Sequence, residues 1–291
     1  MASFLKPVWA LTGWLFGEDS HDMPPLPHGL PEDFARVLEA HVRMLIEYQN
    51  TEYAVLYLDR LGRFHGRHGV SDAMFREIAD LLARRMIVND PIRVARVVLG
   101  KAVLADPGQL ELTNNLYRPE VQEIVAMLPR DYAEMIVDGL TAVKMLRGRL
   151  RLHVDTAWGR TRLRLFLLFR RIRPQSLRYA KESSSTERWL HMIDRALSKQ
   201  PPAVAEVVRS IDIVRGQGSA RRLALANWDM IITRLAKPVF DGDLAVPNLA
   251  EALVQARHAA TADPSGGELF RTVTEIRATA EQAASRRAVG A

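Results

Sequence analysis

Residues 31–62 read PEDFARVLEAHVRMLIEYQNTEYAVLYLDRLG, and this stretch decides the fold class. Pro31 followed by Glu32 and Asp33 is a helix start, because proline's fixed φ suits the first turn and carboxylates sit well against the unpaired N–H groups there. Phe34, Val37, Leu38, His41, Leu45 and Tyr48 then recur at three- and four-residue intervals, which stacks them on one side of an α-helix. Tyr53, Leu56, Tyr57 and Leu61 carry the stripe to a glycine-containing turn at 62–69.

Toward the C-terminus the pattern repeats. Val70-Ser71-Asp72 announces a second helix with Phe75, Ile78, Ala79, Leu82 and Met86 on one broad face. Pro91 restarts it, and Ile92 to Leu104 forms another helical segment before an Asp106-Pro107-Gly108 turn. After Pro129, a further stripe runs through Tyr132, Met135, Ile136, Leu140, Val143 and Leu146. Glu187–Leu197, Pro202–Ile213 and Leu223–Ala236 read as helices. So do an alanine-rich segment after Pro247 and Glu268–Ala280, beyond which the tail is expected to fray. The expectation is an all-α or predominantly α multi-helix accessory fold. Its body spans 31–240, with a possible subdivision near 147–160, followed by C-terminal helices and tail at 241–291.

Toward the N-terminus, residues 1–30 combine an apolar stretch, Phe4 to Phe16 with Trp9 and Trp14, and a connector broken by Pro24, Pro25 and Pro27. The apolar stretch is shorter than the roughly 20 residues a membrane span needs and lacks a signal cleavage site. The expectation is therefore a cytoplasmic protein without a transmembrane segment, whose N-terminal stretch packs on a partner or on the chain itself, with a lipid-surface helix or a processed signal as the less favoured alternatives. The composition is 48% hydrophobic with Leu, Ala, Arg and Met prominent, as packed helices require. Cysteine is absent, which excludes thiolate nucleophiles, dithiol redox chemistry and cysteine-held zinc or iron-sulfur clusters supplied by this polypeptide. The formal net charge of +6 suits an acidic partner.

That charge is concentrated. Residues 147–178, RGRLRLHVDTAWGRTRLRLFLLFRRIRPQSLR, hold ten arginines against one acid, Asp155. Leu150 to Val154 alternates like a short strand, possible as part of a hairpin near 150–165, whereas Arg162 to Ile172 favours a helix. Arg160, Arg162, Arg164, Arg170, Arg171 and Arg173 are candidates to meet an acidic protein surface. Nucleic acid is the less favoured partner, since no complete helix-turn-helix or single-strand-binding module accompanies the run.

Other chemistry is sparse. Arg215-Gly216-Gln217-Gly218-Ser219 lacks both the dinucleotide fingerprint and the P-loop lysine. Gly216 and Gly218 can end one helix and admit the next, with Ser219 as a cap. Alternatively, exposed amides with Arg215, Arg221 or Arg222 can contact an anion. Tyr48, Gln49, Asn50 and Tyr53 place hydrogen-bonding groups among packing residues, which suits structural wiring at a helix junction first, and a partner contact or a substrate pocket as alternatives. No histidine has a third ligand beside it, so no metal site and no catalytic residue is assigned.

Four separated segments resemble the helical region that follows the γ-type domain in the indolepyruvate ferredoxin oxidoreductase β-subunit family. They are LIEYQNTEYAVLYLDRL (45–61), LLARRMIVNDPIRVARVVL (81–99), the basic LLFRRIRPQSLRYAKE, and EVVRSIDIVRGQGSARRLALANWDMI. In the last, Gln217 stands where the family has an aromatic between two glycines. The resemblance implies a non-catalytic accessory or scaffold subunit of a thiamine pyrophosphate-dependent 2-oxoacid oxidoreductase complex. It further implies that this chain binds no cofactor alone, that thiamine pyrophosphate, Mg²⁺ and iron-sulfur clusters sit in partner subunits, and that the catalytic or γ-type subunit, with ferredoxin, is the contact. A helical scaffold of an unrelated complex is the competing expectation.

Overall fold

The computed structural model describes residues 22–100, 116–141, 148–153 and 156–289. The apolar Phe4–Phe16 stretch, the turn at 106–108, the expected helix beyond residue 100, Val143, Leu146, and Val154 with Asp155 lie outside the described residues. The described chain is predominantly α-helical and its contacts divide it into two compact units, each discontinuous in sequence. Described residues of 1–62 and 82–185 form the first; those of 63–81 and 186–291 form the second.

In the first unit, α1 (Glu32–Tyr48) begins after Pro31 and packs on α2 (Thr51–Gly62). Most of the expected stripe is buried: Phe34, Leu38, Leu45 and Tyr48 face inward with Tyr57, Leu61 and the neighbouring Ala54, whereas Val37 lies on the edge of that face and is 40% exposed. His41 and the Tyr57 hydroxyl are 3.0 Å apart and both buried, which satisfies two polar groups in an apolar seam. α3 (Asp72–Met86) crosses the division between the units at 81/82. α4 (Pro91–Val98) follows, capped by Asp90, whose Oδ1 accepts the Arg93 N–H at 2.8 Å. Next come β1 (Leu116–Tyr117), the short α5 (Val121–Val125), α6 (Arg130–Thr141), β2 (Leu152–His153) and α7 (Ala157–Leu168).

The segment expected to alternate does become a strand at Leu152–His153, but its partner is β1, antiparallel with Leu116 opposite His153. The hairpin near 150–165 therefore takes another form, because residues 157–168 are helical and supply no strand to pair with β2. α7 packs on α4, and Ile92, Val94, Ala95, Tyr117, Met127, Leu163 and Phe166 close this part of the core.

A 3-10 turn, Arg173–Gln175, leads into α8 (Leu177–Lys199), which crosses the division at 185/186. The second unit continues with α9 (Val204–Ser210), α10 (Gly218–Ile231), a π-turn at Ile232–Ala236, α11 (Lys237–Asp241), α12 (Leu249–Ala262) and α13 (Gly267–Val289). Pro238 has no N–H to give a regular ladder, and the π-turn falls just before it. Two buried tryptophans organise the unit. Trp189 donates to the carbonyl of Val208 at 3.1 Å, and Trp228 donates to Ser210 Oγ at 3.1 Å. α12 presents Ala252, Ala256, Ala259 and Ala260 inward, small side chains that let its neighbours approach. α13 continues to Val289, past the point where fraying is expected. Among the described residues, no helix is long and apolar enough to cross a membrane.

Candidate functional site

Among the described residues of the first unit, buried polar side chains (Gln49, Asp90, Arg173, Ser176) gather where α1 ends. Asn50 Oδ1 accepts the Tyr53 N–H at 3.1 Å and so caps α2, which turns the chain at Gln49-Asn50. Arg173 enters beside this turn, 4% exposed. Its Nε and Nη2 donate to the two oxygens of Asp90 at 2.9 and 3.0 Å, the planar fork that suits a guanidinium and a carboxylate. Its Nη1 donates to the Tyr48 carbonyl at 2.6 Å and to Gln49 Oε1 at 3.0 Å. The guanidinium carbon lies 4.0 Å from the centre of the Tyr48 ring.

Neighbouring groups extend the network. Gln49 Nε2 donates to the Arg170 carbonyl at 3.0 Å, and Arg170 in turn donates to the carbonyls of Ile46, in the last turn of α1, and of Gln49, its C-cap. Ser176 Oγ donates to the Arg173 carbonyl at 2.7 Å and accepts the Tyr179 N–H at 3.1 Å, which caps α8. Arg178 reaches Glu123 at 3.3 Å, while its Nη1 is buried with no hydrogen-bond partner among the described residues. Tyr53 donates to the Met86 carbonyl at 2.8 Å, with its ring 5.8 Å from Tyr48 and 5.9 Å from Tyr179. Arg85 pairs with Glu182 and Ser185, and Arg60 donates to Ser183 at 2.9 Å.

Burial and these charges shape the titrations. Burial pushes the Tyr48 hydroxyl up to about 12, with nearby Arg173 opposing and Asp90 adding to the rise. Burial also raises Tyr53 well above its ordinary value, helped by the adjoining Tyr48 and Tyr179. Burial alone would lower Arg173, but Asp90 and Tyr48 outweigh it and hold the guanidinium firmly charged. Between Tyr48, Tyr53, Asp90, Arg173, Arg178 and Glu182 a cavity of about 20 Å³ remains. That is room for about one water molecule and not for a metabolite. Among the described residues, no group of three histidines, aspartates or glutamates could hold a metal ion.

Tyr48, Gln49, Asn50 and Tyr53 thus meet at one junction, and Arg170 and Arg173 join them from the basic segment. Arg173, read from sequence as a cation facing an acidic partner, faces inward because Asp90 and the α1 carbonyls occupy its donors. Arg160, Arg162 and Arg164 lie exposed on α7, and Arg171 is half-buried. Arg215 is exposed and paired with Asp212, Arg221 is buried and Arg222 exposed, all in the second unit. Gly216 has φ 85° and Gly218 φ 53°, conformations that disfavour any side chain. The N-cap of α10 is Gln217, and Ser219, expected to be the cap, sits one residue inside the helix. Arg178, Tyr179, Glu123 and Glu182 complete the network; the first two and Glu182 lie in or just after the basic segment, but neither they, Glu123 nor Asp90 is marked by spacing or residue type as a member of one cluster.

Fold and site together define an α-helical module whose first unit is knit by buried arginines at helix ends. A model of a family of unknown function (DUF6537) matches residues 34–234, and the chain belongs to that family. No curated protein matches it, and no solved structure does.

Proposed function

We propose that this chain is an accessory or scaffold subunit of a cytoplasmic 2-oxoacid ferredoxin oxidoreductase complex that uses thiamine pyrophosphate, of the indolepyruvate type. Its role is contact with the separately encoded catalytic or γ-type subunit, and thiamine pyrophosphate, Mg²⁺ and iron-sulfur clusters reside in those partners. The observation that carries the reading is the Arg173 network. Three of the four segments that resemble the oxidoreductase family are far apart in sequence. They supply Tyr48 and Gln49, then Asp90, then Arg170 and Arg173 to a single set of hydrogen bonds. Residues that a family shares for the sake of its fold fall at such a junction, because each member of a buried polar network is costly to lose singly. The polar groups there are spent on holding helices, which leaves recognition to the exposed surface.

Native mass spectrometry of the full chain mixed with the thiamine-binding and γ-type subunits from the same source tests this. A defined assembly that retains thiamine pyrophosphate and iron-sulfur clusters is expected. A chain that stays at 32.8 kDa beside intact oxidoreductase subunits refutes the reading.

A further inference from the structure

α7 has one face that the described residues of the first unit leave exposed. Gly159, Leu163 and Phe166 point into the core. At about 100° per residue, Trp158, Leu165 and Leu168 fall together on the opposite side. They are 66%, 53% and 56% exposed, unusually bare for large apolar side chains. Arg162 flanks this strip on one edge, with its guanidinium 5.0 Å from the centre of the Trp158 ring, while Arg160 and Arg164 flank the other. None of the three arginines pairs with a carboxylate among the described residues, and α7 itself contains no acid.

We infer that this face of α7 is a docking surface, and that its occupant is a protein subunit presenting an apolar groove rimmed by aspartates and glutamates. The inference rests on the reading above in naming that subunit as part of the oxidoreductase. Charge complementarity requires an acidic occupant, since three unpaired guanidinium groups cannot be buried without carboxylates or phosphates. The cations are all arginine, whose rigid fork suits carboxylates at an interface rim. The strip between them is one tryptophan and two leucines, an anchor pattern that fills a pocket. A nucleic-acid strand would instead call for successive aromatic platforms.

The test titrates purified thiamine-binding and γ-type subunits against the full chain and two variants. One variant, Trp158→Ala with Leu165→Ala, removes the anchors; the other, Arg160→Glu with Arg162→Glu and Arg164→Glu, reverses the rim. All five positions are exposed, so circular dichroism should show unchanged helicity. Vesicles of phosphatidylglycerol and phosphatidylcholine, and a single-stranded oligonucleotide, serve as competing probes. Each variant is expected to bind the subunits more weakly by roughly tenfold or more, with a control at the exposed Arg286, Arg286→Glu, unaffected. If wild type and variants bind equally, the α7 surface is wrong although the complex stands. If wild type binds only vesicles or only the oligonucleotide, and the variants lose it, the protein occupant is wrong. If wild type binds none of the probes, both the surface and the complex fall.

Discussion

Arg173 and Asp90 show what a single pair contributes when it is buried. With side chains 5% and 2% exposed, both have lost most of their hydration, and each is the other's main compensation. Arg173→Met leaves Asp90 charged and dry, strips a donor from the Tyr48 carbonyl, and should cost about 3–5 kcal/mol in a chemical denaturation midpoint. Adding Asp90→Asn should recover part of that loss, because asparagine keeps the cap on α4 and no bare charge remains. Arg164→Met, on an exposed residue, should stay within about 0.5 kcal/mol. An Arg173→Met protein as stable as wild type would show that the pair does not hold the junction. The sequence announced half of this site. Polar residues interleaved with packing ones at Tyr48–Tyr53 are conspicuous on a helix, and their wiring role is what the hydrogen bonds display. Arg173 was not distinguishable from its neighbours, because ten arginines in one run look alike and the residue that selects it, Asp90, lies 83 positions earlier.

At the scale of elements, periodicity located most helices, and the departures have local causes. α8 begins at Leu177, ten residues ahead of the expected start at Glu187, in the stretch LRYAKESSST. Serines favour caps and turns by competing for backbone groups, so the run reads as weakly helical. Here Ser183 and Ser185 accept hydrogen bonds from Arg60 and Arg85, and tertiary partners override propensity. β2 was legible by its alternation, but its partner β1 is a two-residue strand with no signal of its own. The seam between β2 and α7 also explains one glycine. Thr156 Oγ1 donates to the His153 carbonyl and accepts the Gly159 N–H, both at 3.0 Å, which draws the helix start onto the strand end. A Cβ on Gly159 would stand 1.7 Å from the His153 oxygen, with backbone as the obstacle. Gly159→Ala should therefore destabilise by roughly 1–3 kcal/mol, even though alanine is the better helix former by about 1 kcal/mol. Gly62→Ala, where a Cβ meets nothing within 4 Å, should be neutral or slightly stabilising. Thermal unfolding of the two variants side by side decides the matter; equal behaviour would mean the seam yields at no cost.

For the whole molecule, the division into units was hidden from the sequence. Each unit is discontinuous, and an apolar helical stripe reads the same on either side of 81/82 or 185/186. The division nonetheless partitions the aromatic residues in a way that can be measured. All six tyrosines belong to the first unit, whereas the buried Trp189 and Trp228 belong to the second. Tyr48, Tyr53, Tyr117 and Tyr179 all have hydroxyls pushed above the ordinary value of 10, with burial the largest cause at each. The sign of the consequence follows from linkage. Below pH 10 these tyrosines are neutral folded or unfolded and contribute no pH dependence. Above it the unfolded chain gives up protons that the folded chain retains, so the unfolded state gains, until the pH passes the folded value near 12 for Tyr48. Tyr48 alone accounts for a loss on the order of 2–3 kcal/mol across that window. Urea unfolding between pH 9 and pH 11, followed by circular dichroism and tyrosinate absorbance, should show stability falling with a delayed tyrosinate rise. Tyr48→Phe keeps the ring under Arg173 and removes one ionisation, so its stability should fall less steeply with pH than that of wild type. Identical slopes for the two proteins would mean that Tyr48 ionises as readily folded as unfolded, and that the junction at the end of α1 is open to water.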